Sequence, residues 1–140
     1  MTPTMQVAID AADPHAQNRF WAAIMEYEIE DHHDMIEQIV AAGHAGEDDI
    51  IEVEGRKVWK TAAASRPRDG SGARLLFQHV PETKTVKNRV HLDLHVGVDE
   101  RDGAIARAIE LGATKLWDGR QGPQTWVTLA DPEGNEFCIS

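Results

Sequence analysis

"RVHLDLHVG", residues 89–97, alternates without a slip. Val90, Leu92, Leu94 and Val96 are apolar, while His91, Asp93 and His95 are polar. Period two predicts a β-strand with one apolar and one polar face. Two imidazoles and a carboxylate on one side invite three readings: a metal-binding strand, a pocket wall, or a solvated surface. The strand's place in the fold decides among them.

Working outward, the same order of elements occurs twice. Met5 can be laid on Val90, which sets Gln6 on His91, Ala8 on Asp93 and Asp10 on His95. Residues 5–10 predict the first strand. Asp13 then caps a helix with Pro14 at its first position, and Ala16, Phe20, Trp21, Ile24 and Met25 form its core-facing stripe. The matching strand at residues 89–96 leads to a helix capped by Asp99, with Ile105, Ala108 and Ile109 buried and Gly112 at its end. Downstream, "EGRKVWKTAA" (residues 54–63) is set against "DGRQGPQTWVTLA" (residues 118–130), pairing Trp59 with Trp126 and Thr61 with Thr128. "DGSGARLLFQ" (residues 69–78) is set against "DPEGNEFC" (residues 131–138), pairing Phe77 with Phe137 and Gln78 with Cys138.

The first half holds extra material. Residues 27–30 predict a short strand. A second helix follows, capped by Asp31 or Asp34, lined by Met35, Ile36, Ile39 and Val40, and ended by Gly43. Residues 49–63 predict a hairpin turning at Glu54-Gly55, and residues 65–72 a loop. Residues 73–80 predict another strand. In the second half, residues 113–119, 124–130 and 135–140 predict three strands, the last two joined by a tight turn at "DPEG".

These elements predict an α+β fold of two βαβββ modules forming a cup-shaped mixed sheet with helices outside. The chain is expected to be a single domain over residues 1–140: module one at about 4–80, a polar linker at 81–88, and module two at 89–140. A concave polar sheet face is a natural small-molecule cleft.

Composition excludes other classes. The 140 residues carry 24 acidic against 14 basic side chains, a formal net charge of −10, which argues against nucleic acid. No run of about 18 apolar residues exists, so no membrane span is expected. The start, "MTPTMQVAID", predicts no secretory leader. One cysteine, Cys138, cannot form an intramolecular disulfide, which predicts a reducing, cytoplasmic setting. No glycine-rich phosphate loop is present.

The repeat, with "DPHAQNRFW" (residues 13–21), "LGATKL" (residues 111–116) and "DPEGNEFC" (residues 131–138), resembles the vicinal oxygen chelate superfamily of glyoxalase, bleomycin-resistance and dioxygenase proteins. "KNRVHLDLHV" and "WVTLADPEGNEFC" look like its glyoxalase-like domains of actinobacterial type. The resemblance implies a homodimer and a small-molecule ligand. It also implies four metal-ligating strand positions, which match Gln6, Gln78, His91 and Cys138. A Glu expected near the C-terminus is replaced by Cys138, and two amides, one imidazole and one thiol are a poor ligand set.

Two functions follow. The first is a small-molecule-binding protein of unassigned reaction without the full family metal site. The second is a metal-dependent lyase, isomerase or dioxygenase of glyoxalase type, with a divalent metal on His91 and Gln6. His91 and Glu136 are the candidate catalytic groups; Gln6, Gln78, His91, Asp93, Trp59, Trp126 and Cys138 are the candidate cleft. His95 reads as surface, His32 and His33 as surface or rim, and Phe20 and Trp21 as core.

Overall fold

The computed structural model describes all 140 residues, Met1–Ser140. Three α-helices and ten strands divide between two compact units, Met1–Pro81 and Glu82–Ser140.

In the first unit, β1 (Gln6–Ala11) leads into α1 (Pro14–Met25), followed by β2 (Glu28–Ile29). The Asp13 carboxylate accepts the Ala16 amide at 3.0 Å and so caps α1. Phe20 and Trp21 are buried, their rings meeting edge to face with centroids 5.7 Å apart. The strands β5 (Ala62–Arg66) and β6 (Arg74–His79) complete a four-stranded sheet of order β1-β6-β5-β2, in which β1 and β6 run parallel.

Between β2 and β5 lie α2 (His33–Ala41), a short 3₁₀ turn (Glu47–Asp49) and the strands β3 (Ile50–Val53) and β4 (Arg56–Trp59). Neither Asp31 nor Asp34 is the α2 cap residue, which is His32; Asp31 instead accepts the His33 amide at 3.0 Å. Ile36 is fully buried, whereas Met35 faces solvent. The hairpin turns at Glu54 and Gly55, both at positive φ (51° and 76°), as a two-residue turn joining twisted strands requires. This hairpin is a two-stranded sheet of its own, so Trp59 does not lie on the four-stranded sheet. The loop expected from Ser65 starts at Pro67, because Ser65 and Arg66 pair with β2.

The second unit comprises β7 (Leu92–Leu94), α3 (Arg101–Glu110), β8 (Thr114–Gln121), β9 (Gln124–Ala130) and β10 (Glu136–Ile139), with sheet order β7-β10-β9-β8. This is the β1-β6-β5-β2 order repeated, again with one parallel pair, β7 on β10. Phe137, Leu129, Ile139 and Val127 are buried, as is Ala108 of α3. Each such large side chain contributes about 1.5–3 kcal/mol by leaving water.

Three expectations for this unit are corrected. The strand expected over residues 89–96 is only Leu92–Leu94, because its single neighbour β10 is four residues long. Asp99 is not the α3 cap; Glu100 is, without a side-chain bond, and Ile109 is exposed rather than buried. The repeat also shifts. Ile9 pairs with Phe77 and Leu92 with Phe137, so Ile9 matches Leu92, Ala8 matches His91 and Asp10 matches Asp93. By the same logic Ala62, not Thr61, matches Thr128. The alternation looked the same at either setting; only the hydrogen-bonded register separates them.

The "DPEG" turn is closed by its own residues. Asp131 is buried, and its Oδ1 accepts the amides of Glu133 and Asn135, each at 2.9 Å. The Asn135 side-chain amide donates to Asp131 Oδ2 at 3.0 Å, and the backbones of Asp131 and Asn135 bond at 2.8 Å. Gly134 supplies the positive φ of 88° that this closure needs.

Candidate functional site

One face of the second unit's sheet is apolar and packed. The other carries a cavity of about 580 Å³, whose lining follows the two-residue period along the strands except at Thr125, near the start of β9. His91, Asp93 and His95 come from β7 and its flanks, and Glu136, Cys138 and Ser140 from β10 and the residue after it. Gln124, Trp126 and Thr128 come from β9, and Trp117 and Gln121 from β8. Register arranges them in rows: Asp93 stands beside Cys138, Cys138 beside Thr128, and Thr128 beside Trp117. A bulge between Lys115 and Trp117 turns Trp117 onto this face.

His91 Nδ1 and Asp93 Oδ1 are 2.7 Å apart. A carboxylate only accepts, so Nδ1 carries the proton, and in the neutral imidazole Nε2 is left as an acceptor. His95 Nδ1 lies 2.7 Å from the Ser140 hydroxyl. Cys138 is buried, with its Sγ 3.4 Å from Thr128 Oγ1. Burial pushes its thiol above the ordinary range; the Thr128 bond works against that and the Asp93 carboxylate with it. Cys138 therefore stays a thiol.

Glu136 lines the same cavity and is held from the segment before β7. Its Oε1 accepts from Lys84 Nζ at 3.0 Å and its Oε2 from the Asn88 amide at 3.0 Å. Burial acts to raise its pKa, but these bonds and the Lys84 charge outweigh it and hold the carboxyl below its ordinary value. Both oxygens are committed to the segment that precedes β7.

The first-unit candidates stand apart from one another. Gln6 Oε1 accepts from Arg74 at 2.7 Å, and Arg74 also holds Glu30. Gln78 is exposed and pairs with Asp10, four residues along β1 from Gln6, or about 13 Å at 3.3 Å per residue. Trp59 lines a separate cavity of about 40 Å³ with His15, Glu30 and His32, and its carbonyl accepts from His15 Nε2 at 2.7 Å. His33 Nδ1 accepts the Lys57 amide at 2.8 Å, tying α2 to the hairpin.

The family metal set does not fit these residues. Gln6 is engaged by Arg74, and the register match of His91 is Ala8, which has no donor. His91, Asp93 and Cys138 do bring ligand atoms within 4.8 Å of one another. That trio is not the family set: it draws one imidazole, one carboxylate already bonded to that imidazole and one buried thiol from two neighbouring strands, and leaves out Gln6 and Gln78.

His95, which reads from the sequence as surface, is exposed and lines this cavity; Trp117, Thr128, Gln121 and Gln124 line it too and are not among the sequence candidates. The alternation of "QTWVTLA" was signal enough for Thr128 and Gln124. Trp117 was hidden by the bulge, which breaks the period of β8.

No helix is long and apolar enough to cross a membrane. Comparison with curated protein sequences gives no match. Among solved structures, a glyoxalase/bleomycin resistance protein/dioxygenase family enzyme from Burkholderia phytofirmans PsJN superposes with a TM-score of 0.63 at 18% identity, covering 96% of this chain and 94% of that one. The fosfomycin resistance protein FosX from Listeria monocytogenes, in complex with Mn(II), gives 0.63 at 12% identity, covering 99% and 89%. The oxidase ChaP-H2 gives 0.60 at 17%, covering 99% and 93%. At these identities the likeness is one of fold. The glyoxalase-like domain family matches residues 6–140, and the chain therefore belongs to that family, within the vicinal oxygen chelate superfamily.

Proposed function

We propose that the protein binds a small polar organic molecule in the cavity of its second unit, and that His91, oriented by Asp93, exchanges a proton with it. The observation that carries this reading is the His91–Asp93 bond at the wall of a cavity of about 580 Å³. Ligand sites typically enclose about 300–1,000 Å³ and converge a few polar groups on an otherwise ready-made surface. The chemistry is general acid–base: Asp93 fixes the tautomer, and Nε2 takes a proton from a bound hydroxyl or acidic C–H and can return it. Glu136 is assigned to holding the chain before β7 rather than to proton transfer, on the strength of its bonds to Lys84 and Asn88.

The reading extends to one functional domain over residues 1–140, paired as a homodimer in the cytoplasm. The family resemblance supports the pairing, and the unpaired Cys138 suits a reducing compartment.

The test is thermal-shift screening of small organic acids, phenols and divalent metals against the protein, with His91→Ala beside it. A ligand-induced shift that His91→Ala loses supports the reading. A stoichiometric metal that His91→Ala releases overturns it in favour of the metal-dependent lyase, isomerase or dioxygenase alternative.

A further inference from the structure

Gly119 and Trp126 face each other directly across β8 and β9. A Cβ placed on Gly119 would lie 2.1 Å from Cε2 and Nε1 of the Trp126 indole and 2.6 Å from Cζ2. No side chain fits there, so the glycine is what allows the indole to settle onto the strand. Unlike the glycines of this chain's turns, Gly119 does not have a positive φ. Its reason for being glycine is the space the indole occupies.

Trp126 lines the cavity together with Trp117, which stands one pleat along β8 from Gly119 and is 45% exposed. The only ring pair in the chain is Phe20 with Trp21, in the other unit, so neither of these indoles is stacked on a neighbour. Across the sheet from Trp126, through β10, stand Ser140 and His95, whose Oγ and Nδ1 are 2.7 Å apart, while His91 lies four residues further along the edge strand. The cavity thus has an aromatic side and a hydrogen-bonding side, about two strands apart at 4.8 Å per strand.

We propose that Trp126, seated on Gly119, is the stacking surface for a planar aromatic ring bearing a hydroxyl group, and that Gly119 determines this specificity. The proposal rests on the reading of the cavity as a ligand site and names the class of ligand it takes. Stacking needs a flat ring face against the indole, which a puckered ring of the same size cannot offer. The hydroxyl meets the His95–Ser140 pair, which stands in the same row as Trp126. A side chain at position 119 would drive the indole off the strand and change the room left for the ring.

Calorimetric titration of naphthol and of its fully saturated counterpart decalol tests this, because the two share a skeleton and a hydroxyl and differ in planarity. The wild type is expected to prefer naphthol by about tenfold, the size of one stacked ring. Gly119→Ala and Trp126→Ala are expected to abolish that preference, and Trp126→Phe to restore most of it. Trp126→Ala introduces no clash and serves if Gly119→Ala fails to fold. Equal binding of both probes by the wild type overturns the stacking proposal while leaving the cavity reading in place. Binding of neither overturns both. A preference that survives Trp126→Ala overturns the assignment to Trp126.

Discussion

Asp93 Oδ1 lies 2.7 Å from His91 Nδ1, two residues away along one edge of the sheet, and it also stands beside Cys138 in the next strand. One carboxylate therefore sets the tautomer of an exposed imidazole and touches a buried thiol. Replacing it with an amide removes the acceptor-only constraint. Asp93→Asn is expected to shift neutral His91 from the single Nδ1–H form to a mixture of tautomers, read from the imidazole nitrogen chemical shifts. Unchanged shifts would show that Asp93 does not orient the ring.

The Cys138 thiol gives a second prediction. Burial pushes its pKa up, so less thiolate is present at neutral pH than for a free thiol. Alkylation by iodoacetamide at pH 7 is expected to run at least about tenfold slower than for glutathione. It should become fast once urea unfolds the chain. Fast labelling of the folded protein would contradict the buried, protonated thiol.

Glu30 links stability to pH. Burial acts to raise its pKa, but the hydrogen bonds and charges of Arg74 and His32 outweigh it and bring the carboxyl below its ordinary 4.5. A group lowered in the folded state stabilises above its unfolded pKa, and that contribution is lost as pH falls through the folded value. Unfolding free energy is therefore expected to decline below about pH 4.5 as Glu30 and Glu136 protonate. Arg74→Leu is expected to cost about 1 kcal/mol at neutral pH, given the solvent screening of a partly exposed arginine, and to flatten the acid limb. Urea titrations at several pH values measure both.

Phe137 gives the largest predicted stability loss. It is fully buried and pairs with Leu92 on one side and Leu129 on the other. Phe137→Ala is expected to cost about 3–5 kcal/mol in urea unfolding, through lost transfer energy and the cavity left behind. A loss under about 1 kcal/mol would mean that this core collapses around the gap.

Much of the fold could be read from period and punctuation. Asp13-Pro14 opened α1, Glu54-Gly55 turned a hairpin, and Asp131 to Gly134 turned another, because each rests on a local requirement of the backbone. What depended on partners far along the chain was harder. The match of Gln6 with His91 was two residues off, since sliding a period-two strand by two residues preserves its pattern and only the bonds to β6 and β10 fix the register. The pairing of Trp59 with Trp126 failed for a related reason: the hairpin of β3 and β4 joins no strand of the larger sheet. Of the residues that line the second unit's cavity, His91 and Asp93 stand in one alternation, whereas Trp126 and Cys138 enter the reading through the repeat and the family resemblance. Gly119 was not legible, because its meaning lies in an indole seven residues away across a strand pair.

The closure of the Asp131 turn bears on how a guest would enter. Bonds among residues 131–135, with one more from the Asn88 side chain to Asn135 Oδ1, fix the turn, so the spacing of β9 from β10, and with it the placing of Thr128 and Cys138, is settled before any visitor arrives. Such a surface greets its guest as a mould greets a casting. Association should proceed with little rearrangement of the main chain, at rates governed by diffusion and orientation.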